Sequence, residues 1–280
     1  MSAGEGAVVA ASLESAIGTV RLARGGPAGA PPVVYLHSAG GEGLGEVASF
    51  LGALAAGHEV VAPMLPGFGG SEGLSEVDDM EDVAYHLLDL FDRLGLVGGR
   101  RPHLVGQSLG GWAAVEVAWR HPEAVASLTL VNPVGLYVPG HPVRELFGRR
   151  LDDLARDTFA DQSHPTAAAM HAMASLGPRN AGSVPFELVR PFLEAMAAAA
   201  KLGWNPYFHN PRLGRRLVRV SMPTLVIVGR RDGLVPNAVG EELGRLIGGA
   251  RLHHVDDGSH MLTLEHPEAM ARLVAEHVAG

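Results

Sequence analysis

The chain contains no cysteine, so disulfide bonds, cysteine-based catalysis and cysteine metal sites are all excluded. Its 280 residues include one lysine, Lys201, the net charge is −8, and there is no run rich in lysine and arginine. Nucleic-acid binding is therefore not expected, because contacts to phosphates need a basic patch. The sequence also lacks an apolar run of the roughly 18 residues that span a bilayer, so no membrane partner is expected.

Two further signals are missing from the sequence. Residues 1–11 lack the basic start and apolar segment of a secretory signal peptide, which makes a cytoplasmic location the default expectation. The 14 histidines show no metal-ligand spacing, and the pair His253-His254 lies on a predicted strand where adjacent side chains point to opposite faces. We therefore expect neither a metal site nor a cofactor. The oligomeric state is not determined by the sequence, and a homodimer stays open.

Short apolar runs alternate with helical patterns through most of the chain. The runs at residues 33–36, 60–62 and 225–228 are continuously apolar, as is typical of parallel strands buried on both faces, and the second of these predicted strands begins at Glu59. This alternation predicts an α/β fold in which helices cover both faces of a mostly parallel sheet.

The pattern changes in the middle of the chain. Between residues 134 and 217 the strand-like runs stop, and helical stretches replace them at residues 143–158, 166–176 and 186–202. We therefore expect a core made of residues 1–133 and 218–280, with residues 134–217 as an all-helical cap, or lid. This lid would lie over the carboxyl edge of the sheet, where ligands of open α/β sheets bind.

A G-x-S-x-G sequence, Gly106 to Gly110, separates a predicted strand from a predicted helix. This pattern in this context is typical of a nucleophile elbow, a strained turn that lifts the Oγ of Ser108 clear of the sheet. The two glycines keep side chains out of a space where strand and helix approach closely. The N-terminus of the helix supplies N–H groups for a developing oxyanion. The alternative interpretation is a Gly-Ser turn without chemistry.

A serine nucleophile needs a base, and the base needs an orienting partner. Asp232 follows the apolar run at residues 225–228, and His260 follows a predicted strand at residues 250–255. Strand ends of a parallel sheet share one edge, and the order serine, aspartate, histidine is the one expected for this architecture. Asp256 and Asp257 are alternative acids, but they lie close to His260 in sequence. Asn132, after an earlier strand, cannot serve as a carboxylate.

Five motifs resemble those of the α/β-hydrolase superfamily, in its branch of serine hydrolases with a helical cap after the sixth strand. They are L-H-S-A-G-G at 36–41, P-G-F-G-G-S at 66–71, G-Q-S-L-G-G at 106–111, G-R-R-D-G-L-V-P at 229–236 and D-G-S-H-M-L-T-L-E-H-P-E at 257–268. The resemblance covers nearly the whole chain and is weakest in the cap. It implies that Ser108 is the nucleophile, His260 the base and Asp232 the acid of a catalytic triad.

The resemblance also implies an oxyanion hole. Its donors would be the N–H groups of Leu109, just after the nucleophile, and Ala39, two residues after His37. The family usually has glycine where this chain has Ser38, so a hydroxyl enters the oxyanion loop and either donates to the substrate or crowds it. His37 is expected to brace this loop rather than to react.

The type of nucleophile narrows the expected reaction. Dehalogenases and epoxide hydrolases of this family have aspartate in the elbow, so both are excluded. We expect a serine esterase that cleaves a carboxylic ester of a small, mainly apolar substrate through an acyl-enzyme. Carbon–carbon bond hydrolysis of vinylogous diketones from ring cleavage is the alternative, although those enzymes usually carry a proline in the oxyanion loop. Acyl transfer and non-catalytic ligand binding on the same fold also stay open.

The oxyanion loop, the helix after the nucleophile and the cap are expected to contribute side chains, most of them apolar, to the substrate pocket. The side chains expected there are His37, Trp112, Met170, Met173, Phe192, Met196 and Trp204.

Overall fold

The computed structural model of the protein describes residues 7–41, 47–180 and 185–280, without the side chains of residues 177–180. In this part of the chain eight strands form one sheet: β1 (Val9–Ser15), β2 (Gly18–Gly25), β3 (Pro32–Leu36), β4 (Glu59–Pro63), β5 (His103–Gln107), β6 (Ser127–Val131), β7 (Thr224–Gly229) and β8 (Arg251–Val255). The helices described are α1 (Ala48–Ala55), α2 (Met80–Arg93), α3 (Leu109–Arg120), α4 (Leu151–Thr158), α5 (Pro165–Asn180), α6 (Phe186–Gly203), α7 (Asn237–Leu246), α8 (Leu262–Glu265) and α9 (Pro267–Ala279).

The sheet has the strand order β1-β2-β4-β3-β5-β6-β7-β8. Strands β1, β2 and β4 pair antiparallel, and every pair from β4 to β8 is parallel. The carboxyl ends of β3, β5, β6, β7 and β8 therefore lie along one edge. The predicted α/β fold with a mostly parallel sheet is confirmed.

Side chains alternate between the two faces of the sheet, and each face has its own apolar core. Val34 and Leu36 of β3 belong to the core beneath α2, α3 and α7, whereas Val33 and Tyr35 belong to the core beneath α1 and α9. All five residues of β3 are buried. The continuous apolar runs in the sequence thus reflect strands that are covered on both sides.

Residues 134–217, which we call the inserted segment, lie between β6 and β7 and contain α4, α5 and α6. Helix α4 begins at Leu151, so the helix expected from residue 143 was wrong over its first half. There the N–H groups of Arg144 and Leu146 donate to Leu234 O and to the Tyr207 hydroxyl instead of to a helical turn. Helix α5 continues past its expected end at residue 176 and stops at Asn180, two residues after Pro178.

The sequence also predicts a helix over residues 45–56. Helix α1 forms at Ala48–Ala55, and Gly45 and Glu46 lie outside the described residues. Residues 1–6 lie outside them as well. No helix in the described part of the chain is long and apolar enough to cross a membrane.

Candidate active site

Ser108 occupies the turn between β5 and α3. Its backbone has φ 53° and ψ −112°, a left-handed conformation that is strained for a residue with a side chain. The turn is held by a hydrogen bond from Ser108 N to Val131 O of β6, at 2.9 Å. The side chain is 4% exposed and lies at the floor of a cavity. These features are those expected of a nucleophile elbow.

The two glycines of the elbow are required by close backbone contacts. A Cβ atom on Gly106 would lie 2.2 Å from Gly110 O, and one on Gly110 would lie 2.1 Å from Leu36 O. Both distances are far below van der Waals contact, so only glycine lets α3 approach β5 and β3 this closely. The same contact places the start of α3 beside the loop that follows β3.

Asp232 and His260 form a buried hydrogen-bonded pair at the same edge. His260 Nδ1 and Asp232 Oδ2 are 2.7 Å apart, and their side chains are 3% and 1% exposed. The other carboxylate oxygen, Oδ1, accepts from the N–H groups of Leu234 and Val235 at 2.9 and 2.8 Å. Because a carboxylate accepts, Nδ1 carries the proton and Nε2 is left with a lone pair. His260 and Ser108 line one cavity, so the structure brings the three predicted residues together.

The loop after β3 forms part of the cavity wall. Ala39 is 6% exposed, Ser38 is 3% exposed, and both line the cavity beside Ser108. The Ser38 hydroxyl oxygen accepts from the N–H of Gly40 at 3.2 Å, so this side chain helps to shape its own loop. Leu109 N is the first amide of α3, where backbone donors have no helical acceptor. Within the described residues, no protein acceptor is assigned to the Ala39 or Leu109 amide.

His37 supports this loop from behind. Its Nδ1 lies 2.7 Å from Ser38 O and donates to that carbonyl, while its Nε2 accepts from Leu65 N at 3.0 Å. The ring also packs on Phe68, with centroids 4.8 Å apart. His37 therefore joins the loop after β3 to the loop after β4.

The cavity has a volume of about 390 Å³ and extends from Ser108 into the inserted segment. None of the described side chains that line it is lysine, arginine, aspartate or glutamate. Its polar side chains are Ser38, Ser108, Thr158, Thr166 and His260, and the others are mainly aliphatic, aromatic or methionine. The described walls thus suit an uncharged, apolar group.

Three of the seven side chains expected in the pocket line it, namely Met170, Phe192 and Met196. The expectation is corrected for the other four. His37 is held behind the loop as described above, and Met173 is half-buried one turn further along α5. Trp204, at the end of α6, is 60% exposed and packs against Phe147.

Trp112, the fourth, is drawn away from the cavity by a buried acid. Its indole Nε1 donates to Glu116 Oε1 at 2.8 Å, and the same carboxylate accepts from Trp119 at 2.7 Å and Asn210 at 2.8 Å. Arg120 pairs with Glu116 as well. This cluster joins α3 to the end of the inserted segment.

Several lining residues were missed by sequence reasoning although a signal existed. Leu234 and Val235 follow Asp232, and Met261 follows His260. Apolar neighbours of triad residues at strand ends are natural candidates for pocket walls. Others, such as Leu188 and Phe208, are distant in sequence and carried no such signal.

The sequence matches the family model of the alpha/beta hydrolase fold over residues 31–267, and the chain therefore belongs to the α/β-hydrolase family. It is similar to the pimeloyl-[acyl-carrier protein] methyl ester esterase of Methylococcus capsulatus, with 32% identity over 89% of this chain and 95% of that protein. It is also similar to 2-hydroxy-6-oxononadienedioate/2-hydroxy-6-oxononatrienedioate hydrolase 2 of Pseudomonas putida, with 30% identity over 89% of this chain and 87% of that protein.

Among solved structures, the 2-hydroxy-6-oxo-6-phenylhexa-2,4-dienoate hydrolase of Rhodococcus sp. strain RHA1 superimposes with a TM-score of 0.77. The identity is 25%, and the match covers 98% of this chain and 99% of that one. The expectation that the chain is a hydrolase is confirmed by these relatives, which are named as an esterase and as an oxononadienedioate hydrolase.

Proposed function

We propose that the protein hydrolyses a carboxylic ester of a small, uncharged, mainly apolar acyl group through a covalent acyl-enzyme. The observation that carries this proposal is the buried Asp232–His260 pair, whose histidine lines the same apolar cavity as the strained Ser108. In this proposal Ser108 is the nucleophile, His260 the general base and Asp232 the residue that fixes the imidazole tautomer.

The reaction follows from the positions of these groups. His260 Nε2 takes the proton of Ser108 as Oγ attacks the ester carbonyl, and the imidazolium that forms is stabilised by Asp232. The oxyanion is bound by the N–H groups of Ala39 and Leu109, and each such donor lowers the barrier by about 3–4 kcal/mol. His260 then gives its proton to the leaving alcohol, and water repeats the cycle to release the acid.

The inserted segment acts as the cap of this site in our proposal. Its residues Met170, Phe192 and Met196 line the same cavity as Ser108. Burial of an acyl chain against these side chains contributes about 0.8 kcal/mol for each CH₂ group. The length of the acyl group that turns over fastest is thus set by the cap.

The charge of the cavity favours an ester over the alternative substrates. The Pseudomonas putida relative is named for a dienedioate, a substrate with two carboxylates. A carboxylate buried without a cationic partner is costly, and the described lining of this cavity contains no lysine or arginine. An apolar acyl ester leaves no charge unpaired.

The first test is the turnover of p-nitrophenyl butyrate by the wild type and by Ser108→Ala. We expect turnover by the wild type, a burst of p-nitrophenol, and loss of both in Ser108→Ala. The control is Ser12→Ala, because Ser12 is an exposed serine of β1. Labelling of Ser108 by a fluorophosphonate identifies the nucleophile independently, and unchanged turnover in Ser108→Ala would exclude it.

The second test separates the substrate classes. The methyl ester of a monocarboxylic acid is uncharged, whereas the monomethyl ester of a dicarboxylic acid keeps one carboxylate. For acids of equal length, we expect kcat/KM for the uncharged ester to exceed that for the charged ester by at least about 100-fold. A preference for the charged ester would refute the uncharged acyl group. Turnover of a vinylogous diketone but of no ester would replace the proposal by the carbon–carbon reaction. Formation of a new ester in place of the free acid when an alcohol is added would show acyl transfer instead. A wild type that binds these compounds without turnover would be a ligand-binding protein.

A further inference from the structure

Asn132 is a buried polar residue at the carboxyl end of β6 that the proposed reaction does not use. It is 2% exposed, does not line the cavity, and has a left-handed backbone with φ 41°. Asparagine is one of the few residues with a side chain that adopt this conformation readily. A buried amide on a left-handed backbone beside a candidate active site calls for a physical explanation.

The side chain of Asn132 joins the two segments that carry the Asp232–His260 pair. Its Nδ2 donates to Ser259 O at 2.8 Å and to His260 O at 3.0 Å. Its Oδ1 accepts from Gly229 N at 2.8 Å, and Gly229 O in turn accepts from Asp232 N at 3.1 Å. One amide is thus bonded both to the backbone of the base and to the turn that holds the acid.

The backbone beside Asn132 holds the third member of the site. Ser108 N donates to Val131 O at 2.9 Å, and Val134 N donates to Ser108 O at 3.3 Å. Residues 131–134 therefore contact the elbow through the main chain. They contact the segments that carry Asp232 and His260 through the side chain of Asn132. The end of β6 is the structural element that relates all three.

We propose that Asn132 is a positioning residue, which sets the place of the His260–Asp232 pair relative to Ser108; this inference rests on the proposed function. The amide supplies two N–H donors for two carbonyls and one acceptor for a backbone N–H, and no other side chain of this size does so. Aspartate has the same shape but offers only acceptors. Its carboxylate would face Ser259 O and His260 O and repel both.

The test compares Asn132→Asp and Asn132→Gly with the wild type. Asn132→Gly keeps the left-handed backbone and removes the side chain, so it serves if Asn132→Asp does not fold. For p-nitrophenyl butyrate we expect kcat to fall about 10–100-fold, the effect of losing buried hydrogen bonds that hold a loop, while KM changes little. The control is Thr129→Val, a buried β6 residue outside the site.

A second readout separates positioning from general stability. The proton on His260 Nδ1 gives a far-downfield NMR resonance while it is bonded to Asp232, and we expect it to be weakened or shifted in both Asn132 variants and unchanged in Thr129→Val. A lower kcat with an unchanged resonance would overturn the proposal, as would a kcat within about twofold of the wild type. If the wild type hydrolyses no ester, the proposed function fails, and the resonance still reports whether Asn132 positions the pair.

A double variant tests the rival role of this position, that of a site for the acid. We expect Asn132→Asp combined with Asp232→Asn to be no more active than Asp232→Asn alone, because the side chain at 132 faces backbone carbonyls. Recovery of activity in the double variant would show that an acid at this position orients His260, and would refute the positioning role.

Discussion

Replacing Asp232 by asparagine keeps the shape of the side chain and changes the atom that faces His260. Oδ1 of Asp232 accepts from two backbone N–H groups, those of Leu234 and Val235, whereas Oδ2 is 2.7 Å from His260 Nδ1. In Asp232→Asn the amide oxygen has to stay with the two N–H groups, so the NH₂ group faces the imidazole. Nδ1 must then accept, the proton moves to Nε2, and His260 loses the lone pair that would take the Ser108 proton.

The size of this effect follows from the same contacts. Turning the amide over would restore the correct tautomer, but it would leave two buried N–H groups without acceptors, at about 1–3 kcal/mol each. Loss of the carboxylate that stabilises the imidazolium adds to the barrier. We expect kcat to fall about 10³–10⁴-fold, which corresponds to about 4–5.5 kcal/mol. The assay is the steady-state turnover of p-nitrophenyl butyrate, and the rate of Ser108 labelling by a fluorophosphonate should fall in parallel.

The matched control is Asp256→Asn. Asp256 is an alternative acid near His260, but its side chain is 89% exposed and pairs with Arg230 at 2.7 Å. We expect near-wild-type turnover from this variant. Turnover by Asp232→Asn within about tenfold of the wild type, or a larger loss in Asp256→Asn, would refute the assignment of the acid.

Three predictions concern stability, measured by urea unfolding. Gly110→Ala should prevent folding or lower the free energy of unfolding by about 3 kcal/mol or more, because its Cβ would meet Leu36 O. In the control, Gly52→Ala, the new Cβ meets open space on α1, so the free energy of unfolding should rise by about 0.5–1 kcal/mol. Glu116→Gln should lower it by about 3 kcal/mol, since Arg120 loses its buried partner, while the exposed Glu123→Gln should have little effect. Burial lowers the pKa of His103 from 6.5 to about 4. The unfolded chain therefore binds a proton at this residue before the folded protein does. Its contribution to the free energy of unfolding is complete above pH 6.5 and is lost between pH 6.5 and 4. Because the ring is partly exposed, this contribution is on the order of 1–2 kcal/mol. His103→Gln should make the free energy of unfolding less dependent on pH between 6.5 and 4. An equal pH dependence in the wild type and in His103→Gln would contradict the assignment to His103.

The fold, and the placement of the three candidate residues at one edge of the sheet, could be predicted because they depend on local pattern and simple topology. A strand covered on both faces is apolar throughout, as β3 is, and that pattern is visible without any contact information. Parallel strands end at one edge, so residues such as Asp232 and His260 that follow two late strands are expected near Ser108. The glycines of the motif indicate that α3 packs closely on β5 and β3, because neither Gly106 nor Gly110 has room for a side chain.

The parts that were not predicted depend on partners far away in sequence. Residues 143–150 look helical, but their backbone donors find Leu234 O and the Tyr207 hydroxyl. Trp112 follows the elbow and looked like a pocket residue, yet Glu116 and Asn210 hold its indole side on the other face of α3. Asn132 could be rejected as an acid from its identity, whereas its bonds to Gly229, Ser259 and His260 only appear once three strands are assembled.

The contacts of α4 limit how a substrate reaches Ser108. Asp157 O, near the end of α4, accepts from Gly233 N at 3.0 Å, and Thr158 O accepts from Met261 N at 3.1 Å and from the Ser259 hydroxyl at 2.8 Å. Lifting α4 would break these bonds, at about 1 kcal/mol each, and would free both segments that hold the Asp232–His260 pair. Leu188 of α6 lines the same cavity and is 70% exposed. A substrate that entered beside α6 would leave Asp232 and His260 in place, and substitutions at Leu188 should therefore change KM more than kcat.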